Sequence, residues 1–171
     1  VHRDLKPTNI FLHQARGGVG VPKVLDFGVS KFLEEDTNQA LTVAGTVLGS
    51  PYYMSPEQAR GESKIDGRSD IFAFGAIFFE GLTSYRPFDA TNLNALIVQI
   101  ATTRPKDIDR CAPQMPESIR RVIRACLEVK AANRIANFDL VAQMIADALG
   151  ELEGLEMHLP RPNEPEDPEI T

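Results

Sequence analysis

The 171 residues are 43% hydrophobic and 25% charged, a balance that fits one ordinary globular domain with chain enough for a sizeable core. The formal charge of -6 gives no argument about partners of the body, because residues 151–171 hold seven acids against one base while residues 1–150 hold seventeen of each. Two cysteines, Cys111 and Cys126, are too few for a metal site, and without a secretory signal they suit a reducing, cytoplasmic compartment, with any membrane anchor lying outside this stretch.

The chain opens on Val1-His2-Arg3-Asp4-Leu5-Lys6-Pro7-Thr8-Asn9. A solvated surface loop accounts for those residue types but not for their order. Residues 9–12 (Asn-Ile-Phe-Leu) and 23–27 (Lys-Val-Leu-Asp-Phe) read as short strands, and Gly17-Gly18-Val19-Gly20 between them can turn the chain back. Such a hairpin carries Asn9 and Asp26 to neighbouring positions. Asp26-Phe27-Gly28 alone is an ordinary turn. Behind the opening nonapeptide, it makes a pairing that resembles the catalytic centre of a protein kinase.

That resemblance implies the roles of the family's phosphoryl-transfer template, which are carried over to matching positions. Asp4 orients a substrate hydroxyl and accepts its proton, and Lys6 sets an ammonium against the transferred phosphate. Asn9 and Asp26 offer the hard oxygen ligands that Mg2+ takes alongside the phosphates of ATP. Lys6 after the catalytic Asp resembles the serine/threonine kinases, whereas tyrosine kinases usually place an arginine-containing sequence there. His2 packs beneath the loop in the family and is not expected to act as a base.

Residues 28–49 are polar, with few regularly spaced apolar residues, and read as a loop. Gly49-Ser50-Pro51-Tyr52-Tyr53-Met54-Ser55-Pro56-Glu57 resembles the end of a kinase activation segment. Ser50 stands where the family usually has a Thr whose hydroxyl bonds toward the catalytic Asp and Lys. Val47, Pro51 and Met54 resemble the apolar pocket for the residue following the phosphoacceptor. Thr46 lies where many kinases carry an activating phosphate, with Thr42 the second choice. Arg3 and Lys31 stand where the family supplies the phosphate's basic partners.

Residues 71–82 form an apolar run preceded by helix-starting residues, which predicts a buried helix of about a dozen residues, short of the roughly 20 that span a bilayer. Its Asp70 either caps the helix or, as the resemblance implies, holds the backbone of the catalytic loop. Glu80 matches a position that in some kinases pairs with basic substrate residues and in others is structural; the structural role is expected here. Apolar spacing predicts further helices over 92–101, 116–127 and 139–149, with Ile119, Val122, Ile123 and Leu127 on one core face and Leu140, Met144, Ile145 and Leu149 on another. Arg134 matches the arginine that pairs with the Glu of the activation segment's end, here Glu57. Arg120, Arg121 and Arg124 read as a solvated helix face, and no nucleic-acid binding follows from them.

The resemblance covers residues 1–149 and, in Met54-Ser55-Pro56-Glu57-Gln58-Ala59-Arg60-Gly61, is closest to bacterial eukaryotic-like kinases. The Gly-rich phosphate loop, strand Lys and helix Glu of the kinase template are not among the 171 residues. The expectation is therefore a mainly α fragment of an α+β parent: the helical C-lobe (1–149) of a serine/threonine kinase with one short β-hairpin, its N-lobe absent. An acidic, Pro-rich, disordered linker follows (150–171). The parent acts on Ser/Thr of protein substrates with ATP and Mg2+, the fragment alone being inactive. The alternatives are a non-catalytic kinase-like interaction module and a truncated gene product.

Overall fold

The computed structural model describes residues 1–14, 20–25 and 51–156, with side chains taken to residue 152. Among them the chain is mainly helical, with one two-stranded antiparallel sheet. Strands β1 (Ile10–His13) and β2 (Val21–Val24) pair in the register Ile10 to Val24 and His13 to Val21. The second strand begins two residues earlier than the sequence suggests, because Val21 and Pro22 complete the ladder opposite His13 and Leu12.

Six helices follow: α1 (Pro56–Ala59), α2 (Arg68–Thr83), α3 (Leu93–Thr102), α4 (Ile108–Cys111), α5 (Glu117–Cys126) and α6 (Phe138–Glu156). Each longer helix has a local cause. Asn92 caps α3 by accepting the amide of Ala95 at 2.9 Å. Helix α2 is stopped by Ser84, which turns left-handed at φ 61°. Ser55 and Gln58 form a reciprocal capping box at the start of α1, which makes a helix of only four residues possible.

Helix α2 is the central post. It is apolar on nearly every side, as a buried helix must be. Phe72, Ala76 and Phe79 face a core completed by Phe88, Leu96, Ile100, Ile119, Ile123 and Leu127. Ile71 faces a second core of Val122, Cys126 and Val141. Helix α5 comes so close to α2 that a Cβ on Gly75 would lie 2.6 Å from Cys126 Cβ.

Two expectations for the C-terminal helix need correction. It does not end at Leu149. Residues 150–156, assigned to the disordered linker, continue α6, because Leu152 still packs on the first core and Glu151 lies 3.7 Å from Arg121. Of its expected stripe, Met144 and Ile145 pack on the second core, but the two end positions shift. Val141 and Ala148 are buried while Leu140 and Leu149 are half exposed, since Phe138, set edge-on to Phe74, helps fix how the helix is rotated. Residues 157–171 lie outside the described residues.

Candidate active site

Residues 1–9 are a loop closed by a single 3-10 turn, Pro7–Asn9, which Pro7 favours by fixing its own φ. The turn folds the loop onto itself. Lys6 Nζ lies 2.7 Å from Asp4 Oδ2, and both side chains keep partial exposure. Asn9 is buried and donates its Nδ2 to the Asp4 carbonyl at 2.9 Å and, at 3.4 Å, to Asp4 Oδ2. With its nitrogen so used, its oxygen is the atom suited to a cation. The amide of Leu25 donates to the Asn9 carbonyl at 2.8 Å. That bond sets residue 25 beside Asn9.

Helix α2 anchors the loop from below. Asp70, in the first turn of α2, accepts the amide of His2 at 2.7 Å on Oδ2 and that of Arg3 at 2.8 Å on Oδ1. The helix has no side-chain cap at Gly67, so the Asp70 carboxylate serves the loop in place of its own helix end. His2 is buried, its Nδ1 accepting the Asp4 amide at 3.2 Å and its Nε2 3.0 Å from the Leu25 carbonyl, an arrangement that requires the Nε2–H tautomer.

A second anchor ties the Ser55-Pro56-Glu57 turn into the core. Arg134 Nη1 and Nη2 meet Glu57 Oε1 and Oε2 at 2.8 and 3.1 Å, Ser69 Oγ donates to Glu57 Oε1 at 2.6 Å, and Arg134 also donates to the carbonyls of Arg68 and Glu128. The Arg134 guanidinium lies over the Phe72 ring, 4.9 Å from its centroid. Burial pushes the Glu57 carboxyl up, but the hydrogen bonds from Arg134 and Ser69 outweigh it and hold the group down at about 2.

The profile of the protein kinase domain matches residues 1–146. The chain belongs to the protein kinase domain family. Among relatives, it is 36% identical over 87% of its length to "Serine/threonine-protein kinase pkn2" of Myxococcus xanthus, covering 18% of that protein. It is 39% identical over 80% of its length to "Serine/threonine-protein kinase pkn3" of the same organism, covering 25%. A protein named "Tyrosine-protein kinase MasK", also from Myxococcus xanthus, is 36% identical over 87% of the chain, with 21% of it covered. The chain thus spans a quarter or less of these curated relatives. The likeness is to bacterial-type serine/threonine kinases, and the helical fold with one small sheet agrees with it.

Of the site residues named from the sequence of this kinase chain, Arg3, Asp4, Lys6, Asn9 and Asp70 are brought together, while Glu57 and Arg134 meet one layer deeper. Asp26, Lys31, Thr46 and Ser50 lie outside the described residues, as does Val47. Glu80 is occupied within the chain: Tyr53 donates to its Oε2 at 2.7 Å, and Arg86, stacked over the Tyr52 ring, is 3.2 Å from its Oε1. Burial and that bond push the Tyr53 hydroxyl up to about 12. Arg120 and Arg124 pair with Asp109 and Glu117, so that helix face is an ion-pair lattice. Sequence reading missed Gln58, whose one signal was its capping-box spacing from Ser55. Among the described residues no group of three His, Cys, Asp or Glu could hold a metal ion, and no helix is long and apolar enough to cross a membrane.

Proposed function

We propose that the protein carrying this chain transfers the γ-phosphate of ATP to Ser or Thr hydroxyls of protein substrates. The observation that carries the reading is the Asp4, Lys6 and Asn9 constellation: a carboxylate and an ammonium 2.7 Å apart, with a buried amide locking the carboxylate's backbone. Bound Mg-ATP supplies the γ-phosphoryl group and the divalent charge that offsets its oxygens. Asp4 takes the substrate hydroxyl's proton as that oxygen bonds to the γ-phosphorus and the bond to ADP breaks. Lys6 keeps its charge beside the transferred group and beside Asp4. Asn9 Oδ1 and the Asp26 carboxylate would hold the cation, whose charge would offset that of the phosphate oxygens.

Residues 1–149 act in this reading as the C-lobe, and 150–171 lead out of it. Phosphorylated Thr46 would be held by Arg3 and Lys31, and Ser50 would bond toward Asp4 and Lys6. Phe11, Leu12, Val21, Val24 and Leu25 are all exposed on or beside the hairpin, an apolar surface of the kind a covering N-lobe would bury. The 171 residues alone are accordingly inactive, and the working kinase resides on the cytoplasmic side, where ATP is found. A stand-alone interaction module is the competing reading, favoured by the same exposed hairpin.

The test is phosphate incorporation from labelled ATP into matched Ser, Thr and Tyr peptides by the protein encoded by the uninterrupted reading frame. Incorporation into Ser and Thr peptides, lost in Asp4→Asn by a factor of at least about 100, is expected. Incorporation into Tyr alone, or full activity in Asp4→Asn, overturns the reading, and ATP-independent partner capture without phosphotransfer would favour the module.

A further inference from the structure

We propose that Gln58 is a positioning residue for phosphotransfer, tying the Ser55-Pro56-Glu57 turn to the catalytic loop through the Arg3 carbonyl; the proposal rests on the phosphotransfer reading above.

Arg3 adopts φ 64°, a left-handed conformation that a non-glycine residue holds only when its surroundings impose it. Its amide is fixed by Asp70 at 2.8 Å, and its carbonyl accepts Gln58 Nε2 at 2.9 Å, across 55 residues of sequence. The peptide unit between Arg3 and Asp4 is therefore gripped on both polar atoms: Gln58 holds the oxygen, and His2 Nδ1 accepts the Asp4 N–H at 3.2 Å. Rotation of that peptide plane is what would swing the Cα–Cβ bond of Asp4 away from Lys6.

The Gln58 amide cannot turn over freely, because its Oε1 already receives the Ser55 amide and hydroxyl, each at 3.1 Å. Only its nitrogen is left to face Arg3. Glu57, one residue earlier, is bolted into the core by Arg134. A continuous path of directed bonds thus runs from the core, through α1, to the peptide that aims Asp4.

Gln58→Glu separates the two tasks of this side chain. Glutamate still accepts from Ser55, preserving the capping box, but has no hydrogen to give the Arg3 carbonyl. In the full protein, kcat is expected to fall on the order of tenfold, as a small misplacement of a catalytic group does, with KM for ATP changed less than about twofold. Hydrogen exchange at the Asp4 amide should quicken while the amides of α2 keep their protection.

Unchanged kcat and unchanged Asp4 exchange in Gln58→Glu overturn the proposal, and so does a kcat loss accompanied by faster exchange throughout α2, which marks a merely structural role. If the parent protein transfers no phosphate, the catalytic reading fails separately, and Asp4 exchange alone decides whether Gln58 holds the loop.

Discussion

Replacing Arg134 by Ala should be among the most damaging single changes in the chain. Both members of the Glu57–Arg134 pair are buried, each 4% exposed, so the change leaves Glu57 as a buried charge without its cationic partner. Removing one partner of such a pair costs about 3–5 kcal/mol. The depressed Glu57 carboxyl, the net of burial against its bonds to Arg134, Ser69 and backbone, points to a cost of the same order. It sits at about 2 instead of 4.5, and at 1.36 kcal/mol per unit that difference is worth about 3 kcal/mol. Because the folded value is the depressed one, this contribution is complete above pH 4.5 and is lost as pH falls toward 2. At an m-value of about 1–3 kcal/mol/M, the urea midpoint at pH 7 should drop by about 1–5 M. The gap between parent and variant should narrow as pH falls from 5 to 2.5, since protonation relieves the stranded carboxylate only in the variant and removes the pair's benefit only in the parent. Equal midpoints at pH 7, or a gap independent of pH, would refute the buried-pair account. Pairing Arg134→Met with Glu57→Leu should recover much of the loss.

Two glycines of α2 should respond in opposite senses. Gly75→Ala puts a Cβ 2.6 Å from Cys126 Cβ and 3.3 Å from the Cys126 carbonyl carbon, so it should destabilise by about 1–3 kcal/mol in urea unfolding, whereas Gly81→Ala meets nothing within 4 Å and should stabilise by about 0.5–1 kcal/mol. Asp70→Asn exchanges a carboxylate serving two amides for a group with one acceptor oxygen, and should cost about 1–3 kcal/mol together with loss of protection at the His2 and Arg3 amides in hydrogen exchange. Burial pushes the Cys126 thiol up to about 12, Arg134 opposing it only in part, so a maleimide at pH 7.5 should label Cys111 in the folded protein and reach Cys126 only after denaturant is added.

What the sequence revealed divides by the range of the interaction. Helix α2, the hairpin and the Asn92 start of α3 were legible because each is written in neighbouring residues: an apolar run, a Gly-rich turn, a capping side chain. The rotation of α6 was not fully legible, since Leu140 and Val141 are both apolar and tertiary packing, Phe138 against Phe74 included, decides which faces inward. The four-residue helices were too short for any periodicity to register. The partnerships of Asp70 with His2 and Arg3, and of Arg134 with Glu57, span 67–77 residues, and only the family resemblance pointed to them. Gln58 had no such pointer, because its partner is a backbone carbonyl that leaves no mark in composition.

Three consecutive residues at the start of α2 connect the core to the chemistry. The Arg68 carbonyl receives Arg134, the Ser69 hydroxyl donates to Glu57, and the Asp70 carboxylate holds the His2 and Arg3 amides. A helix start ordinarily leaves its first amides seeking partners. Here the same turn also serves two distant segments, and it has rigidity to lend because the helix beyond it is packed on nearly every side. A change that frays this turn should therefore weaken the Glu57 anchor and the seat of Asp4 together, whereas Gln58→Glu should disturb Asp4 alone. Separate responses of those two sites to Ser69→Ala and to Gln58→Glu, read by hydrogen exchange, would distinguish a shared platform from two independent contacts.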